Sequence, residues 1–386
     1  MTNKDNKSIT ETEFMNELYR YKKGSVSRRH FMQVTGLSTA MAVVAGSAPA
    51  MFAGSAFAAE DLGNRLNFAT WPNYMDENNI AAFTEATGVH VNVSVFGSNE
   101  EMLAKLQAGG TGWDVFVPTN YTISTYADLG LIQEIDLSRI PNFSKEHNDP
   151  VFTEQGIYNG KVYTVPKDWG TTGYVINTAH TRSDMTSWKE FWDSAMNEYS
   201  SRAIVHDYQL TAIGNALKYF GYSFNSVDPA ELADAEKLMI EVKPHLFAVT
   251  SDYQPGMRSG DAWLSMCWTG DAVQLQRDIP TMAYVLGKEG GEIWSDFYAI
   301  PTGAPNLAAA YAFLNFMQDP EVNAREGIAH GYPLIDSRAI DLLPEDLKNN
   351  PILYPAAELL SALEFGAAVS LTNPDRAELM ARFKAA

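Results

Sequence analysis

The 386-residue sequence contains a single cysteine, Cys267, so it can form no intramolecular disulfide and no cysteine-based metal cluster; a lone cysteine of this kind reads as a small buried hydrophobe. Positive charge is also scarce. With 28 Lys+Arg against 47 Asp+Glu the net charge is −19, which argues against nucleic acid or an anionic lipid surface as the main partner. The seven histidines are scattered without an HExxH pair, and no GxSxG elbow occurs, so the usual marks of zinc and serine hydrolases are missing. There is no repeat of solenoid length. What is present is 46% hydrophobic residues with 19% charged ones, a composition that buries a core large enough for two lobes and does not stay disordered.

The N-terminus reads as an address. Ser27-Arg28-Arg29-His30-Phe31-Met32 has the paired arginines and bulky apolar residue of a twin-arginine export signal, followed by an Ala/Gly/Ser-rich apolar run from Val34 to Phe57. Ala56-Phe57-Ala58 supplies small residues where a signal peptidase reads, so cleavage is expected after Ala58. The alternative is a membrane anchor, for which the run is long enough but poor in Leu and Ile. Residues 1–58 carry seven Lys+Arg and four Asp+Glu, and removing that +3 from −19 leaves −22 for the mature chain. The expected location is a bacterial periplasm.

Beyond the signal, strands and helices alternate. Leu66 to Trp71 reads as a strand, Asn78 to Thr87 as a helix, and Val89 to Phe96 as a second strand by its alternating valines. Ser98-Asn99-Glu100-Glu101 is a capping box, and Asp114 to Pro118 is a third strand leading into Thr119-Asn120-Tyr121. Val162–Pro166 and Gly173–Ile176 read as two strands flanking a Lys167-Asp168-Trp169-Gly170 connection. Asp228-Pro229 caps a helix running to about Val242, and Leu307 to Met317 is an Ala-rich helix. Such alternation predicts a parallel α/β fold whose ligand sits at the loops after the strand ends, where Trp71, Tyr74, Thr119 and Tyr121 fall.

The densest chemistry lies between Trp268 and Pro301. Trp268-Thr269-Gly270-Asp271 and Trp294-Ser295-Asp296 each place an indole close to a carboxylate, a combination that suits an organic cation through the ring quadrupole and the ion pair. The plainer alternative makes each Trp core and each Asp a turn cap. Asp271 and Asp296 could also serve as the carboxylate pair of a glycosidase, which needs a set separation that sequence does not give. Trp-rich clefts bind sugars too, although Thr, Gly and Asp surround these indoles more than the Asn, Gln and Arg a sugar site would want.

Residues from about Leu66 to Ala368 resemble the spermidine/putrescine-binding family of periplasmic solute-binding proteins that serve ABC importers. The resemblance rests on Trp71-Pro72-Asn73-Tyr74, Ser98-Asn99-Glu100, Trp113 to Pro118, Trp169-Gly170, Gly287 to Gly291, Trp294-Ser295-Asp296 and Gly331-Tyr332-Pro333. It implies a two-lobed α/β periplasmic-binding-protein fold with a multi-crossover hinge and an interlobe ligand cleft. The implied division is 59–170 plus 297–340 for lobe 1 and 171–296 plus 341–386 for lobe 2, with crossings near Gly170, Asp296 and Ile340. It further implies a monomer that captures a small cationic amine, uses no cofactor, metal or catalytic residue, and delivers its ligand to an inner-membrane ABC permease. Carried over by position, Trp71 and Tyr74 resemble the first aromatic loop, Thr119 and Tyr121 a hydroxyl-bearing loop, and Trp268 and Trp294 the walls around a methylene chain. Asp296 resembles the carboxylate that holds one amine, Asp271 stands where some members place a second, and Tyr332 resembles a further ligand-facing ring. The adjacent tyrosine pair of ferric-binding relatives is absent.

The sequence also departs from the family. The acidic residue expected after the Ala203-Ile204-Val205 strand is replaced by Tyr208-Gln209-Leu210-Thr211, and a Gln that the family can carry is Gly366. Asp168 stands where the family tends to be apolar. The ligand is then either a diamine held at its far end by Asp168 or Glu364, or a monoamine such as an amino acid derivative. Otherwise Asp168 is a solvated loop carboxylate and Glu364 a helix-surface residue. Another small solute, an opine or a sugar, is the alternative ligand class.

Overall fold

The computed structural model describes residues 60–386; the export signal and its cleavage point lie outside the described residues. Twelve strands follow in chain order: β1 (Arg65–Thr70), β2 (His90–Val95), β3 (Val115–Phe116), β4 (Ile157–Tyr158), β5 (Lys161–Val162), β6 (Thr164–Asn177), β7 (Ala203–Val205), β8 (Leu246–Val249), β9 (Leu264–Trp268), β10 (Met282–Val285), β11 (Gly291–Ala299) and β12 (Leu363–Phe365). Apart from the small β4-β5 hairpin they form one mixed sheet in the order β2-β1-β3-β11-β6-β9-β7-β8, with β10 added to β6 and β12 to β11. Each end of the sheet is parallel, as alternating strands and helices predict: β2-β1-β3 at one end and β9-β7-β8 at the other. The middle is antiparallel, where β11 pairs with β3 and β6, and β6 pairs with β9.

Local chemistry accounts for the helices. Asp76 accepts from Asn78 N at the start of Glu77–Thr87, and Ser98 accepts from Glu101 N at the start of Asn99–Ala108. Asp228 and Asp319 cap Pro229–Val242 and Pro320–His330, each with proline at the first helical position. The helices bury separate cores against the two ends of the sheet. One packs Met102, Phe116, Tyr126 and Phe297; the other packs Trp188, Phe191, Trp192, Met239, Leu379 and Phe383. Each fully buried aliphatic or aromatic side chain stabilises by roughly 1.5–3 kcal/mol, so each end carries a core of its own.

One sequence expectation is corrected here. Lys167-Asp168-Trp169-Gly170 is no connection between two strands, because β6 runs unbroken for 14 residues with every one buried. Polar residues rarely continue a buried strand. They do so here because β11 satisfies the backbone on one side and their side chains pair with one another and with the helix Pro320–His330. No helix among the described residues is long and apolar enough to cross a membrane.

Candidate functional site

The site is laid out by strand register. Side chains alternate along a strand, so Glu292, Trp294 and Asp296 share one face of β11. Their partners on β6 are Thr172, Gly170 and Asp168, and Thr172 in turn pairs with Trp268 at the end of β9. Directly paired residues face the same way. Three rows therefore cross the sheet: Trp268-Thr172-Glu292, Gly170-Trp294, and Asp168-Asp296, the last continued by a bridge from Asp296 to Thr119. Ile293, on the opposite face, packs into a core with Phe152, Trp169 and Ile335.

Two glycines set the aromatic walls. A Cβ on Gly170 would lie 2.4 Å from the Trp294 ring, and one on Gly270 would lie 2.3 Å from the Tyr332 ring, so each indole or phenol rests directly on bare backbone. Trp294 and Tyr332 are 5.4 Å apart between centroids, and Tyr332 meets Tyr74 edge-on at 5.0 Å. Tyr74, Thr119, Trp294, Asp296 and Tyr332 thus form one buried group.

Its electrostatics are lopsided. Lys167, fully buried, has Nζ 3.0 Å from Asp168 Oδ2 and 3.4 Å from Glu326 Oε1, and it lies 4.0 Å over the Tyr74 ring. Tyr74 donates its hydroxyl proton to Asp168 Oδ1. The His330 Nδ1 accepts from Tyr332 N at 3.0 Å, and burial together with Lys167 holds the ring neutral. Its Nε2 stands 3.1 Å from Asp168 Oδ2 yet off the line of a hydrogen bond. Asp168 and Glu326 therefore share one ammonium. Asp296 is the carboxylate left over: it is 5% exposed, and its Oδ1 has no hydrogen-bond partner among the described residues. Burial and then the Asp168 charge push its pKa well above the carboxylate range, against smaller opposing effects of Thr119, Tyr74 and Lys167. The Trp294 indole N–H is likewise without a partner among the described residues.

The remaining predicted residues lie around this group. Tyr121 and Thr119 are joined through Asn99 Nδ2, which donates to Tyr121 Oη at 2.9 Å and to Thr119 Oγ1 at 3.3 Å. Asp271, in the first turn of the helix Thr269–Asp278, accepts from Tyr253 at 2.7 Å and from Tyr332 at 3.5 Å. Burial raises its pKa. Trp268 is half-buried, packed on His206 at 4.5 Å and on Tyr253 at 5.8 Å, so it belongs partly to the core. Trp71 stands apart, edge-on to Phe96 at 4.6 Å. With Arg258 and Gln274 it lines a surface cleft of about 490 Å³ that reaches the buried group at Tyr74.

Two carboxylates differ from expectation. Asp168 is a fully buried strand residue engaged by Lys167 and Tyr74, not a solvated loop side chain. Glu364 lies in β12, not on a helix surface, and is bonded to Lys218, Ser223 and Phe224 N. Three buried ionisable groups of this site escaped the sequence reading: Lys167, Glu326 and Glu292. For Glu292 the signal was available, since it stands two residues before Trp294 in an alternating strand. Nothing local in the sequence marks Glu326, which reaches the site only through the fold.

A family model described as bacterial extracellular solute-binding protein matches residues 78–354. The spermidine/putrescine-binding periplasmic protein of Escherichia coli K12 is 33% identical over 333 residues, covering 84% of this chain and 94% of that one. The putrescine-binding periplasmic protein SpuD of Pseudomonas aeruginosa is 28% identical over 313 residues, covering 77% and 85%. Among solved structures, a putative spermidine/putrescine ABC transporter protein from Listeria monocytogenes superposes with a TM-score of 0.77 at 29% identity, covering 83% of this chain and 99% of that one. A spermidine/putrescine ABC transporter substrate-binding protein from Streptococcus pneumoniae gives 0.70 at 28%, covering 84% and 99%. With a match across most of its length and the same fold, this chain belongs to the family of bacterial extracellular solute-binding proteins.

Proposed function

We propose that the protein is the periplasmic substrate-binding component of an ABC importer, which captures a linear amine of the putrescine/spermidine class between two lobes and hands it to a membrane permease. The observation that carries this reading is Asp296. A carboxylate buried to 5% exposure, with an unpartnered oxygen and more negative than positive charge around it, is costly unless a cation arrives. Trp294, two residues before Asp296 on the same strand face, and Tyr332, 5.4 Å from that indole between centroids, supply the aromatic surface that attracts a cation and packs against methylenes, each buried methylene contributing about 0.8 kcal/mol. The names of the relatives point to the same ligand class. The binding residues in this reading are Trp71, Tyr74, Thr119, Tyr121, Trp268, Asp271, Trp294, Asp296 and Tyr332, with the buried five at its centre.

We place the lobe boundaries at 59–170 plus 297–340 and 171–296 plus 341–386. The separate cores at the two ends of the sheet support this division, as do the paired central strands β11 and β6, which join β3 on one side and β9 on the other. The N-terminal export signal, removal of residues 1–58 and a monomeric mature form complete the proposal. Mass spectrometry of the small molecule that co-purifies with natively exported protein tests it. A di- or polyamine is expected; a stoichiometric sugar or other neutral solute would overturn it.

A further inference from the structure

The sequence departs from its family at the acidic residue expected to hold the far amine, and neither Asp168 nor Glu364 is free to replace it. Both have their oxygens committed to protein partners. A third carboxylate remains. Glu292 is 1% exposed, on the same β11 face as Trp294 and Asp296, two and four residues away. At about 3.3 Å per strand residue its Cα lies about 13 Å from that of Asp296, with the Trp294 indole midway. Thr172 Oγ1 donates to Glu292 Oε2 at 2.5 Å, while Oε1 has no partner among the described residues.

The ionisable groups facing Glu292 add no positive charge. They are Tyr121 from the loop after β3 and Tyr208 at the start of the helix Gln209–Tyr219, both of which its charge disfavours from ionising. Glu100 acts on the same two tyrosines from the helix Asn99–Ala108, and Asp296 also disfavours ionisation of Tyr208. The nearby cation is Lys218, whose Nζ would be 3.5 Å from a Cβ on Gly290, but it is tied to Glu364. Burial without a cation pushes the Glu292 carboxyl up to about 8.

We propose that Glu292 is the second anionic anchor of the cleft, taking the far ammonium of a linear di- or polyamine whose near ammonium sits on Asp296 and whose methylenes cross the Trp294 indole. This rests on the amine-binding reading above and adds the residue that makes the site select two terminal charges over one. Thr172 orients the carboxylate, and the unpartnered Oε1 is the acceptor offered to the ligand.

The test is titration calorimetry of putrescine, spermidine and n-butylamine against wild type, Glu292→Gln and Asp296→Asn. Wild type should prefer the polyvalent amines, and Glu292→Gln should reduce that preference at least tenfold. An unchanged preference in Glu292→Gln, with binding lost in Asp296→Asn, overturns the second anchor and leaves the amine reading standing. Failure of wild type to bind any of the three overturns both. A readout on wild type alone guards against a variant that does not fold. Titrations at pH 7.5 in buffers of different ionisation enthalpy should show more protons released by putrescine than by butylamine, because only the diamine ionises Glu292; equal release would overturn the proposal.

Discussion

Asp296→Asn separates a cation site from every neutral-ligand alternative. The substitution keeps the shape of the side chain and one acceptor oxygen while removing the charge. An ammonium on the unpartnered Oδ1 would lie about 3 Å away, where two unit charges attract by about 5–6 kcal/mol at an effective dielectric of about 20. Desolvating the ammonium offsets part of that, and truncating one member of such a pair costs about 2–5 kcal/mol in practice. The expected loss of affinity is therefore roughly 30-fold to several thousand-fold. The ligand-free protein should move the other way. An uncompensated buried carboxylate is replaced by a neutral amide, so the melting temperature should hold or rise while the shift on adding amine shrinks. Titration calorimetry with putrescine and spermidine, paired with thermal melts, reads both signs. Affinities within about threefold of wild type in a folded variant would remove Asp296 from the role assigned to it and refute the cation site.

Trp294→Ala should cost at least tenfold in amine affinity, since a desolvated cation–π contact alone contributes up to about 2 kcal/mol. The fold should survive, and a variant that unfolds while its retained folded protein binds normally would make Trp294 structural. Because Trp294 and Asp296 are 6% and 5% exposed, a ligand can reach them only if the lobes part, with β6 and β11 bending between them. Small-angle scattering should therefore show a smaller radius of gyration in the amine-saturated protein than in the ligand-free one; identical values would count against hinge closure. Glu292 has a pKa of about 8 when folded against 4.5 when exposed, so between those values the folded form holds the extra proton and ligand-free stability falls as pH rises from about 4.5 to about 8. Glu292→Gln should flatten part of that fall in melting temperature, and a profile parallel to wild type would show that Glu292 does not titrate there.

The strand-and-helix alternation of the first hundred residues after the signal was legible because it is local. Apolar period, capping residues and turn residues act over a few positions, and β1, β2 and their helices fall where these signals place them. The Lys167–Gly170 segment was misread for the converse reason. Its polar residues break the apolar pattern, and only pairing with β11 and with Glu326, 159 residues away, lets them stay in a strand. Glu364 was misplaced for a similar reason, since β12 exists only as the neighbour of β11.

The sequence by itself determined the acidic, disulfide-free α/β character of the chain. It also supplied the indole–carboxylate units at Trp268–Asp271 and Trp294–Asp296, because residue type and short spacing are intrinsic to it. Only the tertiary structure decided which carboxylates are neutralised and which are not. Asp168 and Asp296 look alike in sequence; register places them side by side, and one lysine reaches the first and leaves the second uncompensated. Charge balance in a buried site is a sum over groups brought together from distant parts of the chain, and the low dielectric around them makes that sum decide what can bind there.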